Sequence, residues 1–90
     1  MNMGTDIHIS KDVLFQELAG ETVLLDLASE SYFGLDAVGT RIWQLLGEGA
    51  GRVQVVDTLL AEYEVEREVL ERDVAELLER LAEAGLIELG

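Results

Sequence analysis

An α+β fold, a small antiparallel sheet followed by three helices, is predicted by three observations on this 90-residue sequence. Apolar residues alternate with a period of two only in the first third. From residue 36 onward they recur at helical spacing. The strand-like stretches also follow one another at short intervals, which favours antiparallel hairpins over crossover connections.

Each element has its own signal. "IHI" (7–9) alternates, and "VLFQEL" (13–18) is apolar with a polar end. Ala19-Gly20 supplies a turn into "ETVLLDLA" (21–28), where Val23, Leu25 and Leu27 share one face and Leu24 is an apolar outlier on the other. After a turn at "SESY" (29–32), "YFGL" (32–35) is read as the third strand of an N-terminal three-stranded antiparallel sheet. Asp36 is a natural N-cap for a helix to Leu46, with Val38, Ile42, Trp43, Leu45 and Leu46 as its apolar stripe. "GEGAG" (47–51) ends it. A second helix is expected over Val53–Tyr63 and a third over Glu66–Ala84, about 28 Å long at 1.5 Å per residue. Gly85 suits the C′ position of that third helix, and "LIEL" (86–89) is an apolar tail able to fold back on the core. The order has the look of a winged helix-turn-helix with its wing moved to the front.

Composition narrows the function. There is no cysteine, no proline and one histidine, His8, while 19 acidic and 6 basic residues give a formal charge of −13. Disulfides and thiolate metal sites are excluded, and no metal or cofactor is expected. The sequence reads as one domain over residues 1–90, without an apolar run of membrane-spanning length or a visible signal peptide, so a cytoplasmic protein is expected. A winged helix suggests DNA, but the third helix, "EREVLERDVAELLERLAEA", holds seven acids against three arginines and no Asn, Gln or Lys. Beside phosphates it would be repelled without compensating base contacts, so neither nucleic acid nor membrane is an expected partner. Catalysis lacks its parts as well. His8 reads as an edge or surface residue, and Glu68, Glu71 and Glu79 alternate with Arg67, Arg72 and Arg80 at ion-pair spacings of a solvated face. The expected class is a non-enzyme.

"VLLDLASESYFGLDAVGTRIWQLL" resembles the hallmark segment of the PqqD-like family: a hairpin, a "YFGL" strand, an acid or amide cap, then "VGxRIW". The ending "LLERLAEAGLIE" resembles that family's C-terminus, and the similarity runs over about residues 7–89. The resemblance implies a recognition element that binds the leader of a ribosomally made precursor peptide and presents it to modifying enzymes. A chain ending at residue 90 implies a stand-alone member. The overall look points to a lasso peptide pathway, with a leader peptidase and a cyclase as partners. A peptide chaperone for pyrroloquinoline quinone synthesis, acting with a radical enzyme, is the alternative within the family. A structural docking subunit without a peptide ligand is the alternative outside it. Either a monomer or a weak dimer through the exposed edge is expected.

In such proteins the leader adds antiparallel to the third strand, in the groove between that strand and the third helix. Carried onto this sequence, the strand offers Ser31, Tyr32, Phe33, Gly34 and Leu35. Alternation separates Tyr32 and Gly34 from Phe33 and Leu35, and we assign Phe33 to the core and Tyr32 to the groove. Gly34 is expected to admit close approach of a peptide. On the third helix, Leu70, Val74, Leu77, Leu78 and Leu81 form the core stripe. Val69, Asp73, Glu76 and Arg80 flank it, with Leu77 reaching both sides. Val69 and Leu77 are expected to meet apolar anchors, Asp73 and Glu76 basic or amide groups, and Arg80 or Arg72 an acidic residue. Leu24 is read as a second groove contact or as wing packing.

Overall fold

The computed structural model describes residues 7–89, so most of the N-terminal segment read above for a signal sequence lies outside the described residues. The elements run β1 (Ile7–Ile9), β2 (Val13–Leu18), β3 (Glu21–Asp26), β4 (Ser31–Leu35), α1 (Ala37–Gly47), α2 (Arg52–Glu62), α3 (Arg67–Glu83) and β5 (Ile87–Leu89). The expected α+β order is present, with a three-stranded antiparallel sheet β2–β3–β4 ahead of three helices. The terminal stretches do more than fold back. β1 and β5 pair antiparallel as a second, two-stranded sheet. Ser10 seals the junction, its N–H donating to the Leu86 carbonyl and its hydroxyl to that of Gly85 (2.7 Å).

The β2–β3 hairpin turns on Ala19 and Gly20, with φ of 55° and 83°. Positive φ at both central residues gives a turn whose twist matches the strands. β3 stops at Asp26 rather than running to residue 28 as the alternation suggested. The buried Asp26 carboxylate accepts hydrogen bonds from the Ala28 N–H (3.1 Å) and the Ser29 hydroxyl (2.8 Å). That local alternative to the sheet ladder folds the chain through 27–30 into β4.

The register pairs Leu24 with Phe33 and Leu25 with Tyr32. Leu24 has no accessible surface, so its row (Thr22, Leu24, Asp26) faces the helices, and Val23 and Leu25 face away. The "outlier" of the sequence pattern is thus a core residue: of the two readings, packing of the wing against the helices holds, and Leu24 has no exposed surface to offer a groove. It joins Leu35, Ile42, Trp43, Val55, Leu59, Val74, Leu78 and Leu81 in one apolar cluster. Trp43 is buried, as its place in the α1 stripe predicts, with Phe15 edge-on to it at 6.2 Å between ring centroids. A buried hydrogen bond from the Thr22 hydroxyl to Thr40 Oγ1 (2.9 Å) ties β3 to α1.

The helix ends follow the sequence to within a residue or two. The Gly39 N–H donates to the Asp36 side chain (2.8 Å), making Asp36 the N-cap of α1. Gly85 follows α3 with φ of 78°, a left-handed stop that a glycine adopts without a Cβ penalty. Of the ion pairs expected along α3, Arg67–Glu71 forms at 3.7 Å, but Arg67 also reaches Asp57 on α2 at 2.9 Å. Arg41 on α1 holds Glu62 on α2 through three hydrogen bonds of 2.7–3.1 Å.

Candidate peptide-binding cleft

β4 lies at the edge of its sheet: β3 occupies one side, and no strand among the described residues occupies the other. Its free edge opens onto a cleft of about 490 Å³ walled by three elements. β4 contributes Phe33, Gly34 and Leu35. The start of α1 contributes Asp36, Val38, Gly39 and Ile42, and α3 contributes Asp73, Glu76, Leu77 and Arg80. The four α3 residues fall at i, i+3, i+4 and i+7, which helical geometry places on one stripe.

The cleft exists because α1 begins where β4 ends. Leu35 is the last residue of the strand and Ala37 the first of the helix, with the Asp36 cap between them. So tight a junction presses the first helical turn onto the strand. A Cβ on Gly39 would stand 3.2 Å from two Leu35 side-chain carbons and 3.3 Å from Asp36 Oδ1, closer than ordinary contact. The glycine of the "VGxRIW" segment therefore sits where α1 packs tightly on the end of β4, at the cleft's floor. A Cβ on Gly34, in contrast, meets open space.

Charge is arranged unevenly across the opening. Asp36, Asp73 and Glu76 supply carboxylates and Arg80 the one cation of the lining. Asp36 is committed to its cap. The Arg80 guanidinium lies 5.2 Å from the centroid of the Phe33 ring, a cation–π arrangement that bridges the cleft from α3 to β4. The ion pairs among the described residues do not include Arg80. Its i−4 neighbour Glu76 makes no ion pair among the described residues either.

Of the residues chosen from sequence, Phe33, Gly34, Leu35, Asp73, Glu76, Leu77 and Arg80 come together here. Five do not. Leu24 is core. Ser31 lies at the start of β4, and Val69 and Arg72, both on the N-terminal half of α3, stand outside the lining. Tyr32 also stands outside the lining: it is 75% exposed and projects from the outer side of the sheet, where it borders a depression with Leu14, Val23 and Leu25. Phe33, assigned to the core, is half-buried: it packs against the core's edge and also lines the cleft. The α1 contribution was missed because Val38 and Ile42 fit the core stripe. The loop-free strand–helix junction was the available signal, because whatever lies beside the end of β4 must also touch the first turn of α1. His8 is exposed on β1 opposite Glu88, away from this cleft.

Fold and cleft together define a small winged-helix-like domain with an open sheet edge beside a helix-walled groove. The chain belongs to the family described as coenzyme PQQ synthesis protein D (PqqD), which matches residues 21–87. Among solved structures it is similar to TbiB1 in complex with the TbiA(beta) leader peptide, with 47% identity and a TM-score of 0.87, over 90% of this chain and 94% of that one. It is also similar to a lasso peptide synthetase B1 complexed with the leader peptide, with 33% identity and a TM-score of 0.83, over 91% and 96%. No curated protein sequence matches the chain.

Proposed function

We propose that this chain is a non-catalytic adaptor of lasso peptide biosynthesis. It binds the leader of a ribosomally made precursor as a strand added to the free edge of β4. Alternate leader side chains enter the cleft between β4, α1 and α3, and the loaded adaptor presents the precursor to a leader peptidase and a cyclase in the cytoplasm. The whole chain acts as one recognition domain and uses no cofactor. The observation that carries this reading is the unpaired β4 edge opening directly onto a cleft with apolar walls and mixed charge. The two similar structures, each holding a leader peptide, support it. The family description alone suits pyrroloquinoline quinone synthesis equally well, and the resemblance to lasso proteins at 47% and 33% identity favours the lasso pathway.

The energetics require both parts of the site. Backbone bonds along an added strand contribute roughly 0.5–1.5 kcal/mol net each, and ordering a free peptide takes back much of that sum. Side chains buried in the cleft supply the remainder at about 25 cal/mol per Å², and their spacing sets the register. Asp73 and Glu76 favour a basic or amide-bearing leader residue, while Arg80 offers an acidic one a charged partner.

The test is a fluorescence-polarisation titration against the leader of the precursor encoded beside the gene. Saturable binding at about micromolar or tighter is expected. A folded protein that binds no such leader overturns the reading and leaves a docking subunit without a peptide ligand.

A further inference from the structure

Strand alternation gives the β2–β3–β4 sheet a second face, turned away from every helix. Leu14 and Leu18 of β2, Val23 of β3 and Tyr32 of β4 are exposed there, Leu14 to 55% and Leu18 to 72%. Leu14, Val23, Leu25 and Tyr32 line one shallow depression. Across the middle of this face there is no charge, in a chain of which 28% is charged. Glu21 and Glu30 stand only at the hairpin ends. An exposed apolar sheet face of this kind invites association, and proteins ordinarily blunt it with charged side chains. Here the blunting is missing from a surface that, like the cleft, adjoins the open β4 edge.

We propose that this outer face docks the protein that acts on the bound leader, through a partner surface with an apolar centre and a neutral to basic margin. The inference rests on the leader-binding reading above. Charge decides between candidate occupants. A second copy would bring another formal charge of −13 against the first, whereas a basic margin is attracted by the same field. Continuity links the face to the groove. A strand added to β4 extends the sheet, and its side chains alternate as those of β4 do. One set enters the cleft and the other set joins the outer face beside Tyr32 and Gly34. A protein docked there touches adaptor and leader together, so it holds the loaded adaptor more tightly than the empty one, and by linkage strengthens leader binding in return.

The experiment uses Leu14→Lys, Val23→Lys and the double variant, each checked by circular dichroism melting. Both positions are exposed, and neither is on β4, so leader affinity by fluorescence polarisation is expected to stay within about threefold. Co-elution of the loaded adaptor with the purified protease of the same precursor is expected to disappear in the double variant, and the leader-cleavage rate to fall at least about tenfold. Unchanged co-elution and cleavage in a folded double variant overturns the proposal. A wild-type dimer that the double variant converts to monomer, with cleavage intact, also overturns it and assigns the face to a second copy. If the wild type binds no leader, the functional reading above fails on its own. Protease co-elution with the unloaded chain, and its loss in the double variant, then decides the face separately.

Discussion

Phe33 and Tyr32 are neighbours on β4, yet they look onto surroundings that share almost nothing. Phe33 faces a concave site with helices on two sides, carboxylates at its margin and a guanidinium 5.2 Å from its ring centroid. Tyr32 faces outward across a flat, uncharged surface with Leu14 and Val23 as its companions. The difference follows from packing. The helices lie on one side of the three-stranded sheet, and no element among the described residues covers the other. The concave side supplies walls that select side chains, which is what a peptide site needs. The flat side supplies area without selectivity, which suits a second protein. In the scheme proposed above, one strand therefore serves two recognition problems through the direction of alternate side chains.

The sharpest way to break this comparison is to truncate each aromatic in turn. Phe33→Ala removes a cleft wall and the seat of Arg80. The loss of about 2 kcal/mol of apolar contact corresponds to roughly 30-fold weaker leader binding by fluorescence polarisation. Tyr32→Ala leaves the cleft intact and removes only a cross-strand neighbour, with an expected loss of at most about fivefold. The opposite order would return the groove to the face that the sequence pattern first suggested.

Stability gives the next test, because the cleft depends on how closely α1 abuts β4. Gly39→Ala gains helix propensity but drives a methyl to 3.2 Å from the buried Leu35 side chain, 5% exposed, and to 3.3 Å from the Asp36 cap. Overpacking of this kind costs about 1–3 kcal/mol, more than the roughly 0.5–1 kcal/mol that replacing a helical glycine returns. A lower melting temperature is expected, with leader affinity reduced through the displaced cleft floor.

These two cases also mark how far the sequence could be read. Element order was legible because period-two and period-3.6 patterns occupy separate parts of the chain. The Asp36 cap and the Gly85 stop were legible because their chemistry is local. The inward face of β3 was not. Its inner row holds Thr22, Leu24 and Asp26, two polar residues of three, while the outer row holds Val23 and Leu25 with Glu21 only at the hairpin end, so hydropathy alone points the wrong way. Thr22 is satisfied by Thr40 and Asp26 by its own turn. Partners 18 residues away or around a bend leave no mark on a periodicity. The β1–β5 pairing and the reach of Arg80 to Phe33 were hidden for the same reason. Both are long-range contacts that only the folded chain supplies.

The Thr22–Thr40 bond offers a smaller, cleaner probe of how the inner face is anchored. Thr22→Val strands the Thr40 hydroxyl in a buried site and costs about 1–3 kcal/mol. Thr40→Val should do likewise, whereas the double variant recovers most of the loss, because two apolar groups of the same shape need no partner. Strictly additive losses in thermal melts would show that the pair does not act as a unit.

The smallest expected effect lies away from both faces and tests whether they are independent of the rest of the domain. Hydrogen bonds from Arg41 hold the Glu62 carboxyl below the usual glutamate range, and the same pairing raises Arg41. A carboxyl whose folded value is depressed stabilises above its unfolded value, and that contribution is lost as the pH falls through the folded value. Glu62→Gln should therefore lower the melting temperature slightly at about pH 7, and the difference should shrink as the pH falls through the depressed Glu62 value and the wild-type carboxylate takes up its proton. The pair joins α1 to α2 on the surface, and salt screens it. Leader affinity should not change in this variant. If it did, the α1–α2 contact would be setting the position of α1 against β4, and the cleft would be adjustable from outside rather than fixed by the Leu35–Gly39 packing at its floor.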